Sequence, residues 1–145
     1  MSAVCLVPDH LKEDTVIVLD PRRLFGQVGE SEAERCLRRK GYRILERNVR
    51  SLLGEIDLIA EDGPVLVFVE VKARRTDTYG GAVEAVHRHK QERLIRLAAQ
   101  YLALHHIRNR PCRFDVVLIQ SMAGGLPQID HIQNAFDVSG DDLRW

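Results

Sequence analysis

The sequence predicts an α/β sandwich built on a mixed sheet of four to five strands, and three observations predict it. Hydrophobic periodicity runs helix, three strands, helix, then one or two strands, which is the order of a sheet covered by helices. The segment Val65 to Val69 is apolar on both faces, as a strand in the interior of a sheet is. The length of 145 residues supports one core and not two. Hydrophobic residues make up 45% and charged residues 29% of the chain, a globular composition that argues against wholesale disorder and fibrous repeats. The longest apolar runs are far shorter than the ~20 residues of a membrane-spanning helix. Met1 to Val7 lacks the basic start and long apolar stretch of a secretory leader, so a cytoplasmic protein without a membrane partner is expected.

Taken in order, residues 1–25 read as an N-terminal extension, partly ordered, with only Val16 to Leu19 resembling a strand. Residues 26–138 form the domain and 139–145 a tail. Val28, Ala33, Cys36 and Leu37 fall at helical spacing and Gly41 follows as a stop, so a helix is expected over Val28 to Lys40. Tyr42 to Arg50 alternates imperfectly, a strand with a basic face. Glu55 to Ala60 and Val65 to Lys72 are strands joined by Asp62-Gly63-Pro64, a hairpin turn. Between Ala82 and Leu104, Val83, Val86, Leu94, Leu97, Ala98 and Tyr101 recur every three or four residues, which makes a long amphipathic helix with a break near His87 to His89. Phe114 to Ile119 is a fourth strand and Ile129 to Ile132 a short fifth.

Twenty-one Lys and Arg balance twenty-one Asp and Glu, which excludes a globally basic nucleic-acid binder. The distribution is uneven: Arg35 to Arg50 holds seven basic residues against Glu46 alone, and Ala73 to Gln120 holds nine against four acids. Such segments attract polyanions, although solvated faces of this composition are common and charge alone favours that plainer account. The three cysteines, Cys5, Cys36 and Cys112, are too scattered for a disulfide framework or a zinc ribbon. His87 and His89, and the adjacent His105 and His106, point in different directions on a helix and do not converge on one metal.

The chemistry concentrates where the valine strand ends. Alternation places Glu70 and Lys72 on one face, about 7 Å apart, and ionised groups ending a buried strand need partners. Glu55 and Asp57 share a face of the preceding strand, about 4.8 Å away. If the hairpin register aligns Asp57 with Glu70, two carboxylates meet within the span of one hard divalent cation, whose charge would relieve their repulsion. Lys72 alongside is suited to steady a phosphate. Phosphodiester hydrolysis is the chemistry implied, whereas an ordinary intrastrand ion pair would explain Glu70 and Lys72 taken alone. Lys90 lies four residues after Val86 and four before Leu94, in the stripe that should face the sheet, so it either snorkels to a rim or reaches the acids. Glu30 is neutral evidence, since an acid in the first turn of a helix also suits the helix dipole.

Gly54-Glu55-Ile56-Asp57, a hairpin, then Glu70-Val71-Lys72 resembles the active-site signature of the PD-(D/E)XK nuclease superfamily, an acid on one strand followed by Glu-x-Lys on the next. Gly26 to Ala33, Gly41-Tyr42, Asn48, the run Gly54 to Ala60, Phe68 to Lys72, Lys90 and Arg113-Phe114-Asp115 narrow the resemblance to the YraN family of small bacterial proteins related to Holliday-junction resolvases. It covers Leu24 to Phe136. It implies a restriction-endonuclease-like three-layer sandwich, with Asp57 and Glu70 as metal-binding acids, Lys72 as catalytic lysine, Glu30 as the acid beside the metal and Lys90 as a helix residue turned to the site. Glu55 is then structural or supporting, and Arg113 and Asp115 stay outside the catalytic set. The literal Pro-Asp is absent, because Ile56 precedes Asp57.

The function expected is a metal-dependent endonuclease using Mg²⁺ or Mn²⁺ on DNA, in particular branched or structured DNA. A homodimer would supply the two symmetric cuts that a junction requires. The alternative is a nuclease-fold module that binds nucleic acid or a protein partner and turns over nothing.

Overall fold

A computed structural model describes the backbone at residues 21–74, 88–120 and 127–138, and the side chains within these from Val28 onward except at Arg74. The expected Val16 to Leu19 strand, Val83 and Val86 of the second helix, and the 139–145 tail lie outside the described residues.

Helix α1 spans Pro21–Arg39. It starts at Pro21 and not near Val28, because proline at the first helical position has a preset φ and lacks only an N–H that would be unpaired there anyway. Two consequences correct the sequence expectation. Glu30 sits mid-helix, where the dipole no longer accounts for an acid, and Val28 is exposed. The buried stripe is Gly29, Ala33 and Leu37, and glycine carries no side chain for a hydrophobic pattern to register. Gly41, at φ +92°, closes the helix: its N–H donates to the Arg38 carbonyl and that of Tyr42 to the Leu37 carbonyl, both at 3.0 Å.

The strands are β1 (Arg43–Ser51), β2 (Gly54–Asp62), β3 (Val65–Arg74), β4 (Cys112–Gln120) and β5 (Gln128–Ile132), and helix α2 (Arg88–Leu104) lies between β3 and β4. The sheet order is β1-β2-β3-β4-β5. Only β3 and β4 run parallel, which a crossover makes possible, and the other pairs are antiparallel. Ala33 and Leu37 of α1 pack on Val67, Val69 and Val117, while Leu94, Leu97 and Leu102 of α2 pack on Leu66, Phe68 and Phe114. The alternation expected for the valine strand therefore holds, and it makes three layers with the sheet between the helices.

Two departures from regular pairing shape the sheet. The β2–β3 ladder stops at Leu58↔Val69, so that beyond it β2 pairs only with β1 and β3 only with β4. The sheet forks there. Asn48, opposite Asp57 in the β1–β2 register, takes φ +50°, and the chain turns over at that point. Val49 and its partner Ile56 face α2, whereas Leu58 faces α1 and its partner Arg47 reaches Glu34 of α1. This is why the Tyr42 to Arg50 alternation is imperfect.

On the α1 side, near the C-terminal end of that helix, Asp115 is fully buried. Its carboxylate accepts from Arg113 Nε and His131 Nε2 at 2.8 Å each and from the Asn134 N–H at 3.1 Å. Lys40 Nζ lies 3.1 Å from His131 Nδ1, and Gln133 donates to the Tyr42 hydroxyl at 2.8 Å. Arg113 and Asp115 thus belong to an internal polar lattice.

Candidate active site

The site forms in the fork. Continuing the β2–β3 register one step past Leu58↔Val69 puts Asp57 opposite Glu70, the alignment on which the expected site depends. With the ladder broken, Asp57 Oδ2 accepts the Val71 N–H at 2.8 Å. A side chain has replaced the neighbouring strand as acceptor, and its carboxylate is held between the two strands.

Acids reach this point from α1 and from β2. Glu30, Glu55 and Asp57 each place a carboxylate oxygen within 4.8 Å of the others. With its amide nitrogen turned toward them, Asn48 donates to Glu30 Oε2 at 3.1 Å and Glu55 Oε1 at 2.7 Å. Gly29 lets α1 come close enough to deliver Glu30: a Cβ at Gly29 would stand 3.0 Å from Ala73 Cβ. Glu55 also meets Arg50 at 3.3 Å.

The basic side of the site is built on Glu70. Lys90 Nζ forms a close ion pair with Glu70 Oε1, and Lys72 Nζ lies 3.9 Å from the same oxygen. Lys90 therefore reaches the acids instead of snorkelling to a rim.

The electrostatics follow from that crowding. Burial first, and then the Glu70 carboxylate, push Asp57 up to about 7, with the Val71 N–H pulling the other way. Burial and the Glu55 carboxylate raise Glu30 as well, partly offset by Asn48. Lys72 is lowered by burial and by the neighbouring Lys90 ammonium. Burial is the largest single influence on Lys90 and lowers it, but the bonds to Glu70 and Lys72 and the charges of Glu70 and Asp57 together outweigh it and leave Lys90 raised. Repelling carboxylates on one side and competing ammonium groups on the other are a charge distribution that a cation and a phosphate would relieve.

The structure brings together all the residues expected here: Glu30, Asp57, Glu70, Lys72 and Lys90. It adds two. Glu55, expected to be structural or supporting, joins the three-acid group with Glu30 and Asp57, while Glu70 is engaged by two lysines. Asn48 bridges two of the acids from a left-handed backbone position. The signal for Glu55 was its alternation with Asp57. For Asn48 it was an asparagine interrupting a strand, since asparagine tolerates positive φ better than most residues.

A helix–sheet–helix sandwich whose forked strands set one acid against Glu-x-Lys defines a member of the PD-(D/E)XK nuclease-like group. The chain belongs to the UPF0102 family, the YraN family of the sequence resemblance: the model of "Uncharacterised protein family UPF0102" matches residues 29–119. It is similar to UPF0102 proteins of Symbiobacterium thermophilum, 54% identical over 114 residues covering 79% of this chain and 97% of that protein, and of Pelotomaculum thermopropionicum, 46% identical over 118 residues covering 81% and 98%. A third, from Desulfosudis oleivorans, is 43% identical over 122 residues covering 84% and 97%. No helix among the described residues is long and apolar enough to cross a membrane.

Proposed function

We propose that this protein is a Mg²⁺- or Mn²⁺-dependent endonuclease that hydrolyses phosphodiester bonds in DNA, with branched or structured DNA as its substrate. The observation that carries this is the placement of Asp57 in the sheet fork between the Glu30–Glu55 pair and the Glu70–Lys72–Lys90 group. The donor set fits the metal, because several carboxylate oxygens within one ion's reach are what a hard divalent cation takes, and no soft ligand is among them. Asp57 would hold it, with Glu70 or the Glu30–Glu55 pair completing the protein's share. When bound, such an ion supplies charge for a phosphate oxygen and lowers the pKa of water.

The remaining roles fall to the chain. Lys72 places an ammonium beside the phosphate that enters the fork, and desolvation strengthens that attraction. Lys90 fixes the Glu70 carboxylate, and Asn48 fixes those of Glu30 and Glu55, so the acids are oriented before substrate arrives. In hydrolysis water adds to phosphorus as the bond to the leaving oxygen breaks, one water proton going to a base and one to the leaving group. Two such sites in a homodimer would make the paired cuts that resolve a junction.

The second reading, a nuclease-fold module that binds a protein partner and turns over nothing, is favoured by one observation, which leaves fewer free cations for a nucleic acid. Each basic residue from Arg35 to Arg50 is engaged within the chain: Arg35 with Glu32, Arg38 and Arg47 with Glu34, Arg39 with the Arg35 carbonyl, Lys40 with His131, Arg43 with Glu61 and Arg50 with Glu55. Cleavage of supercoiled plasmid and of four-way junctions with Mg²⁺ or Mn²⁺ separates the two. Asp57→Ala and Lys72→Ala should each lose about a hundredfold or more in rate, the range for removal of one catalytic group. Equal residual activity in all three proteins would mean contamination and remove the enzyme.

A further inference from the structure

The β1–β2 hairpin tip, which leads straight into the candidate site, is built against its own turn chemistry. Ser51 pairs with Gly54, leaving Leu52 and Leu53 as the two turn residues. Two-residue hairpins draw on Asn, Asp and Gly, and leucine supplies none of what such a turn requires. Leu52 is fully exposed and Leu53 a little under half so. The turn is nevertheless fixed: the Leu53 N–H donates to Ser51 Oγ at 3.1 Å, and Gly54 takes φ +139°, a conformation that side chains resist.

A single exposed leucine is unremarkable on a protein surface, but the surroundings here have a direction. Gly54 abuts α2 so closely that a Cβ on it would stand 3.1 Å from Arg93 Cδ. Arg93 and Arg96 find no acid among the described residues, in contrast to the paired arginines of α1 and β1. From Gly54 to Asp57 is about 10 Å at strand rise, a distance of one or two nucleotides along a DNA strand. A rigid apolar tip, cationic at its base and about that far from Asp57, matches the parts with which proteins part stacked bases.

We propose that Leu52, with Leu53 beneath it, is a wedge that enters an opened base step at a branch point, and that this tip selects branched DNA over continuous duplex. The inference rests on the reading of the protein as a DNA-acting one. A branch supplies a step whose stacking is already interrupted, so the wedge displaces less there than in a continuous helix. Arg93 at the base of the tip would meet the flanking phosphates without reading sequence.

The test is binding on the Asp57→Asn chain, in which no cut follows, to a four-way junction and to a linear duplex, each carrying 2-aminopurine. The base sits at the branch point of one and at the matching position of the other. The parent should brighten the branch-point base and bind the junction more tightly than the duplex. Adding Leu52→Ser should abolish the brightening and reduce the junction-to-duplex preference about tenfold, a change of ~1.4 kcal/mol. Leu52→Met should restore both. Thermal melts of the variants should coincide, as the side chain is solvated.

Unchanged brightening and preference in Leu52→Ser overturn the wedge. So does failure of the parent to bind either DNA, or a Leu52→Ser change that splits a dimer and leaves the fluorescence alone, which would make the tip a subunit contact. A wild-type protein that cleaves nothing while the Leu52-dependent brightening persists overturns the nuclease reading and supports the wedge.

Discussion

Asp57 carries two opposed demands, to be buried between two strands and to be negative when a cation arrives. Burial and Glu70 raise it to about 7, against roughly 3.9 for an unfolded aspartate. A carboxyl raised in this way binds a proton in the folded state that the unfolded state has already lost. Metal-free stability should therefore fall as pH rises between about 4 and about 7, and stay low above. Asp57→Asn removes the titration, and its amide oxygen can still accept the Val71 N–H. Urea unfolding of metal-free protein should show Asp57→Asn more stable than wild type by about 1–3 kcal/mol at pH 8 and equal to it near pH 3.5, below the unfolded value. A gain of the same size at both pH values would mean that charge crowding is not its source.

Helix α1 and the sheet meet through a glycine, and the two forces on that position have opposite signs. In an isolated helix Gly29→Ala would stabilise by about 1 kcal/mol. Here the new Cβ would stand 3.0 Å from Ala73 Cβ, which is fixed to the backbone of β3 and cannot swing aside, and overpacking of this kind costs about 1–3 kcal/mol. The contact should win. Gly29→Ala should lower the melting temperature and, by lifting Glu30 from the acids, weaken Mn²⁺ binding in calorimetry; a higher melting temperature would show that α1 yields freely.

The same elements show what was legible in the sequence. The double-faced valine strand and the Gly63-Pro64 turn located the central hairpin, and period-two counting put Glu70 and Lys72 on the face that Lys90 meets. The start of α1 was obscured because Asp20-Pro21 reads equally as the end of a strand, and Glu30 was weighed as a first-turn acid for that reason. Val28 was counted toward a buried stripe that Gly29 occupies. The turnover at Asn48 breaks the period on which face assignment rests, and it carries Glu55 into the acid group. Asp115 entered only through the resemblance, and its place at the centre of a lattice could not be read because its donors come from β4, β5 and the turn after β5.

Across the whole molecule, the α1 side of the sheet divides its polar groups between two ends. Around Glu30 the carboxylates repel and Asp57 and Glu30 are raised, whereas at the Lys40 end every partner of Asp115 is a donor. Burial would raise Asp115, but the bonds from His131, Arg113 and Asn134 prevail and hold it below the usual carboxylate range. Its contribution to stability is thus complete above about pH 4 and lost as the pH falls through the depressed folded value. These donors tie β4 to β5 and to the turn that follows, while Tyr42 joins β1 to the same lattice through Arg113. Asp115→Ala would leave a buried imidazole and a partly buried guanidinium, the latter still paired with Asp62, facing an empty place, a change that costs about 3 kcal/mol. Set against the ~5–15 kcal/mol that holds a domain of this size together, that is a large share. Glu70→Ala, which relieves Asp57 and takes a partner only from the partly exposed Lys90 and Lys72, should cost distinctly less. Urea melts of the two variants at pH 7 compare the ends directly, and Asp115→Ala within about 1 kcal/mol of wild type, the size of an ordinary substitution, would show that the lattice is not what secures the sheet.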